Sequence, residues 1–169
     1  TKDVWTHLVD IRKSFEPRAE ELAKKYALAP YTMFIGSGAL WGETILFSMC
    51  ILEEMQWKRI RHITSHDFFH GTLELLEPGV PVFLFMGEDE NRKLDERVRA
   101  FLTRGVTGDT DINIIDTAEF AIPGLDDEFR VIVSPWILSS LITDRLAAYY
   151  ETVTKHNLKY RRYYHQFDY

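Results

Sequence analysis

Apolar and polar residues alternate along this chain with two different periods, and the changes of period mark its elements. Between residues 3 and 28, Val4, Trp5, Leu8, Ile11, Phe15, Leu22, Tyr26 and Ala27 recur at helical spacing with charges between them. Pro17 interrupts this pattern, which predicts two helices or one kinked over residues 14–17, ended by Ala29-Pro30. Residues 31–35 form a short apolar run bounded by Pro30 and Gly36, the first strand. Residues 42–57 are apolar nearly all round, as in a helix covered on most sides. Residues 59–64 read as the second strand. Asp67 or Ser65 can then cap a helix starting near Phe68. Residues 80–85 are wholly apolar, the signature of a strand covered on both faces. Residues 90–104 predict an amphipathic helix with Leu94, Val98, Phe101 and Leu102 inward. Residues 111–115 and 130–133 supply a fourth and a fifth strand, residues 136–155 a last long helix, and residues 105–109 and 123–128 loops.

Strand followed by helix, repeated, predicts an α/β fold: a three-layer α/β/α sandwich around a five-stranded parallel sheet with right-handed crossovers.

At 169 residues and 46% hydrophobic, the chain is long enough for one well-cored domain and short for two. A net charge of −6 argues against nucleic acid as a partner, because backbone binding needs a basic face that releases counterions. The single cysteine, Cys50, has no internal disulfide partner and lies in an apolar helix, which fits a reducing compartment. No uninterrupted apolar run approaches the ~20 residues that span a bilayer, so no membrane is expected and the cytoplasm is the expected location. The chain starts at Thr1 without a methionine, which suggests sequence before it.

Candidate chemistry concentrates between Phe34 and Pro78. Gly36-Ser37-Gly38 lets backbone N–H groups approach a bound oxygen at the start of the following helix; its plain alternative is a tight strand-to-helix turn. With Trp41 where a third glycine belongs, it does not match a dinucleotide fingerprint. Glu53 and Glu54 sit where the negative end of the helix dipole disfavours a carboxylate, which suits a proton carrier. His70, sixteen positions after Glu54, is expected in the first turn of the next helix, where the dipole favours neutral imidazole. His62, His66 and His70 are four apart, but the strand and turn between them break the single helix that a metal site would need, so neither metal nor other cofactor is expected. Residues 156–169 mix Lys159, Arg161 and Arg162 with Tyr160, Tyr163, Tyr164 and Phe167, a composition that fits docking on a neighbouring subunit.

Glu54 and His70, their spacing, and the run Cys50-Ile51, Glu54-Met55-Gln56-Trp57, Phe68-Phe69-His70-Gly71 resemble the sugar isomerase (SIS) family. The likeness is to its flavodoxin-like C-terminal half, in the branch of deglycases that split phosphorylated fructosamines. The isomerase domain of glucosamine-6-phosphate synthase is similar at greater distance. Thr72 departs from the proline of the family's His-Gly-Pro motif, and the Ser-x-Ser-Gly-x-Thr loop with which such halves hold phosphate is absent. The tail ends in an Arg-Arg-Tyr similar to deglycases, and its lysines do not match the catalytic lysine segment of the synthase.

The resemblance implies residues 1–29 as a linker helix, 30–155 as the SIS domain, 156–169 as the docking tail, and a missing N-terminal SIS half that carries the phosphate cradle. It implies catalysis by Glu54 and His70, substrate contacts from Gly36, Ser37 and Gly38, a phosphosugar-amino acid substrate, and a homodimer burying residues 42–57 and the tail. The implied reaction is cleavage of a 6-phosphofructose-amino acid to glucose 6-phosphate and free amino acid. Aldose–ketose isomerisation and non-catalytic phosphosugar sensing are the alternatives.

Overall fold

The computed structural model describes residues 3–105, 108 and 110–168. Helix α1 (Val4–Tyr26) is continuous through Pro17, and Asp3 caps it by accepting from the Thr6 N–H at 2.8 Å. Four strands follow: β1 (Thr32–Ile35), β2 (Ile60–Ile63), β3 (Pro81–Met86) and β4 (Asp111–Asp116). All pairings are parallel, in the order β2-β1-β3-β4. The connection between β1 and β2 is α2, which starts as Trp41–Ile45 and widens into a π-helical stretch, Leu46–Glu53. Helix α3 (Arg92–Leu102) joins β3 to β4. The last helix, α4 (Asp127–Thr154), is α-helical at both ends and π-helical from Ser140 to Leu146.

Alternation along the strands sorts the core into two faces. Phe34, Phe83 and Phe85 point to one, where they meet α1, α2 and α4 through Phe15, Tyr26, Phe47, Ile137 and Tyr150. Met33, Ile35, Val82, Leu84 and Met86 point to the other, under Val98 and Leu102 of α3 and Phe68 of the segment after β2. This is the expected three-layer arrangement. Helix α4 is long and apolar enough, by length and composition, to cross a bilayer, yet it buries Ile137, Leu141, Ile142 and Leu146 inside the domain.

Three expectations change. Among the described residues the sheet has four strands rather than five, because residues 130–133 lie within α4. Their β-branched character suggested a strand, but the acidic first turn at Asp127 and Glu128 and the burial of Val133 with Ile137 follow the helical period. No helix begins at Phe68. Residues 65–71 make turns leading to a short 3₁₀ helix, Thr72–Leu75, because Gly71 takes φ 125° and Asp67 folds back onto Thr64 instead of capping. The dipole expected to act on His70 is therefore absent. The loop expected over 105–109 lies partly outside the described residues.

Candidate functional site

The end of α2 is built from a strained turn. Trp57, a bulky residue, takes the left-handed conformation at φ 53°, where glycine is the usual occupant, and the Lys58 N–H returns to the Leu52 carbonyl at 2.8 Å. What holds it there is the chain's own C-terminal tail. His156 packs edge-on against Trp57 at 4.3 Å, and the Arg162 guanidinium lies over the indole, also at 4.3 Å. Gln56, buried, fixes the tail's root: its amide donates to the His156 carbonyl at 2.5 Å and its carbonyl accepts from Thr154 Oγ1 at 2.7 Å.

Between helix end and tail lies a cavity of about 510 Å³. Glu53 and Glu54 open into it from α2, Lys58, Arg59 and Ile60 from the approach to β2, and Arg161 and Arg162 from the tail. Arg161 Nε stands 2.7 Å from Glu54 Oε1, an ion pair by distance in which the N–H is not aimed at the carboxylate. The guanidinium is secured instead by Nη1, which donates to the carbonyls of Leu158 and Tyr160. Thus Glu54, Gln56 and Trp57 each meet the tail, by three different kinds of contact. Sequence reasoning noticed Glu-Met-Gln-Trp and Arg-Arg-Tyr separately; aromatic and charged residues at a helix end with basic and aromatic ones in a tail were the available signal that they belong together.

His70 does not line this cavity. Glu54 precedes β2 and His70 follows it, and a four-residue strand alone advances roughly 13 Å. The elements that carry them cover opposite faces: α2 packs on the Phe34–Phe83–Phe85 face, whereas Phe68, Phe69 and Leu73, around His70, pack on the Met33–Leu84 face. His70 itself is exposed. β2 is an edge strand, so both residues flank an unpaired side of the sheet. His62, on β2, faces Ser48 and Trp41, and His66 is exposed in the following turn.

Gly36, Ser37 and Gly38 sit at the carboxyl ends of the strands, in the crevice between β1 and β3 where the connections turn to opposite sides, the place open α/β sheets favour for ligands. Here the chain occupies it with its own groups. A Cβ on Gly36 would strike Thr44 Oγ1, and one on Gly38, at φ 55°, would strike Asp89. Ser37 Oγ accepts from the Ser65 N–H at 2.7 Å, and the Ala39 N–H donates to Asp89 Oδ2 at 2.5 Å. Beneath, buried Asp95 accepts from Ser65 Oγ at 2.6 Å and from the Gly87 N–H at 3.3 Å, and desolvation raises its pKa to about 6. Glu88, Asp89 and Glu90 line the opening. Such a surface repels phosphate.

Comparison with known proteins completes this picture. The chain is 30% identical over 148 residues to fructosamine deglycase of Bacillus subtilis (strain 168), an alignment covering 86% of this chain and 43% of that protein. It is 30% identical over 161 residues to fructoselysine 6-phosphate deglycase of Escherichia coli (strain K12), covering 94% and 43% respectively. A crystal structure from Bacillus subtilis, described as a phosphosugar isomerase, superposes with a TM-score of 0.88 at 27% identity over 97% of this chain and 49% of that one. The chain thus spans less than half the length of these relatives. No family model matches it.

Proposed function

The chain belongs with the phosphosugar isomerase (SIS) domains and is related to the fructosamine deglycases, and from that premise we propose that it is the proton-transferring half of a deglycase. The substrate is a 6-phosphofructose-amino acid, and the products are glucose 6-phosphate and the free amino acid. The observation that carries this reading is Glu54, a carboxylate opening into a cavity otherwise rich in cations at the end of α2.

Glu54 removes a proton from C1 and returns one to C2 while the amine N–H proton passes to the C2 oxygen, converting the α-amino ketone into an imine with a hydroxyl at C2. Water adds across the C1=N bond, the C–N bond breaks, and the amine leaves with the proton it needs. General acid–base work of this kind requires a group within hydrogen-bond reach of the carbon-bound proton, which a carboxylate at a cavity mouth provides. His70 is assigned to ring opening and to steadying the C2 oxygen. Because Glu54 and His70 lie on elements covering opposite faces of one chain, the reading requires His70 from a second copy, placed across the β2 edge of a homodimer. Leu46 and Met49 of α2, and Tyr160, Tyr163 and Phe167 of the tail, are exposed in the single chain and supply apolar surface for that contact. The phosphate cradle is assigned to the other half of the full-length protein, in keeping with the acidic crevice beside Gly38. A cytoplasmic location follows from the substrate class.

A second reading, aldose–ketose isomerisation, uses the same shuttle without hydrolysis and draws on the likeness to the Bacillus subtilis structure described as a phosphosugar isomerase, which supports it no better than the first. Full-length protein incubated with 6-phosphofructosyl-lysine or 6-phosphofructosyl-asparagine separates them. Release of free amino acid together with glucose 6-phosphate is expected; turnover of a simple ketose phosphate with no release from either conjugate would favour the isomerase.

A further inference from the structure

The cavity beside Glu54 is cationic in a protein that is acidic overall. Four cations, Lys58, Arg59, Arg161 and Arg162, face two carboxylates, while the chain as a whole carries −6. Arg161 is engaged by Glu54. Lys58 is not engaged: it is half-buried, no carboxylate lies within ion-pair distance among the described residues, and desolvation lowers its pKa. A partly desolvated ammonium without a counterion is unfavourable until an anion arrives. The Arg162 guanidinium carbon lies 4.3 Å from the centroid of the Trp57 ring, a cation–π contact that orders the guanidinium, and Arg162 makes no ion pair among the described residues. An ordered planar fork of that kind suits a carboxylate or phosphate oxyanion.

Resting on the reading given under Proposed function, we propose that Lys58 and Arg162 form a subsite for the α-carboxylate of the amino acid being released, and so determine substrate specificity. Position decides between the two oxyanions of such a substrate. Glu54 must reach C1 and C2. In a conjugate formed through the α-amine, the carboxyl carbon is three bonds from C1, through the amine nitrogen and Cα, whereas the phosphorus is six bonds from C2 at the far end of the sugar. Cations grouped around Glu54 therefore meet the carboxylate. The strained Trp57 turn acquires a purpose in this arrangement: it presents the indole on which Arg162 rests.

The test compares, in the full-length enzyme, kcat/KM for 6-phosphofructosyl-glycine with that for 6-phosphofructosyl-methylamine, which lacks the carboxylate. Wild type is expected to prefer the glycine conjugate, and Arg162→Gln and Lys58→Gln each to reduce that preference by roughly 10- to 100-fold, the range of one charge-assisted hydrogen bond. Arg162→Lys should restore part of it. A preference unchanged by both substitutions, or equal losses on the two substrates, overturns the proposal. If wild type turns over neither conjugate, the functional reading fails, and the subsite is decided by NMR of the Trp57 indole N–H. A shift with N-acetylglycine that is lost in Arg162→Gln supports the subsite. A response to glucose 6-phosphate alone, or to neither, overturns it.

Discussion

The crevice at the carboxyl ends of β1 and β3 and the cavity at the end of α2 occupy opposite kinds of place in the same sheet. The first lies where topology favours a ligand; the chain's own hydrogen bonds engage Ser37 and the Ala39 N–H there, and three consecutive acids line its opening. The second lies where α2 turns into β2, under a tail added after the last helix, and it holds a carboxylate among cations. The lesson is that a fold offers positions, and side-chain chemistry decides which is used. Three buried or half-buried groups at the crevice are tied to structure: Asp95 binds the loops after β2 and β3 together, Asp89 pins the loop after β1, and Arg130 grips Glu88. At the cavity, Lys58 and Arg162 make no ion pair among the described residues, and Arg162 rests on the Trp57 ring.

If this division is right, changes at the crevice are read in stability and changes at the cavity in turnover. Arg130 pairs with Glu88, both side chains being under 15% exposed, and also donates to the carbonyls of Thr117 and Phe120. Arg130→Met leaves a buried carboxylate alone and is expected to cost about 3–5 kcal/mol in urea denaturation, with KM of the surviving folded enzyme unchanged. A KM that rises severalfold would assign the crevice to substrate and break the comparison.

Asp95 gives a pH dependence whose sign is fixed. Its folded pKa, about 6, lies above the ordinary 3.8, so the folded state holds the proton more tightly than the unfolded chain. The stability this contributes is complete below about 4 and is lost as pH rises through about 6, to a maximum of ~3 kcal/mol. Denaturation midpoints for wild type and Asp95→Asn between pH 4 and 7 should show the slope in the first and a flatter profile in the second. Parallel profiles would remove Asp95 as the titrating group.

At the cavity, Gln56→Ala removes both bonds that root the tail. It is expected to cost about 1–3 kcal/mol, the penalty for buried polar partners left unpaired. Faster proteolysis within residues 156–168 and a loss of activity larger than the loss of stability should accompany it. A tail equally resistant in the variant would show that Trp57 and Arg161 hold it without Gln56.

How much of this was legible in the sequence differs between fold and site. The three layers, the parallel order and the two central strands follow from period alone, because β1 and β3 are buried on both faces and, Thr32 apart, are built of apolar residues. Residues 130–133 misled because four β-branched or long residues fit either period, and only burial with Ile137 selects the helix. His70 misled because capping residues precede it, while the φ of Gly71 and the packing of Phe68 and Phe69 on Phe101 are tertiary facts. Glu54 was singled out by its position and by resemblance, and it lines the cavity at the end of α2. That Gln56 and Trp57 meet the tail at the same helix end was not legible, since their partners lie about a hundred positions away and no local pattern joins them.

Glu54 as the proton carrier is tested most directly by the turnover of full-length Glu54→Gln beside Glu53→Gln on a 6-phosphofructose-amino acid. Both carboxylates open into the same cavity, but as successive residues of the helix they leave it in different directions. Glu54→Gln keeps shape and hydrogen bonding while removing the base, so kcat should fall by roughly 10² to 10⁴ with substrate binding largely retained, and Glu53→Gln should cost far less. Equal losses at the two positions, or a Glu54→Gln enzyme that still releases the amino acid at the wild-type rate, would contradict that role.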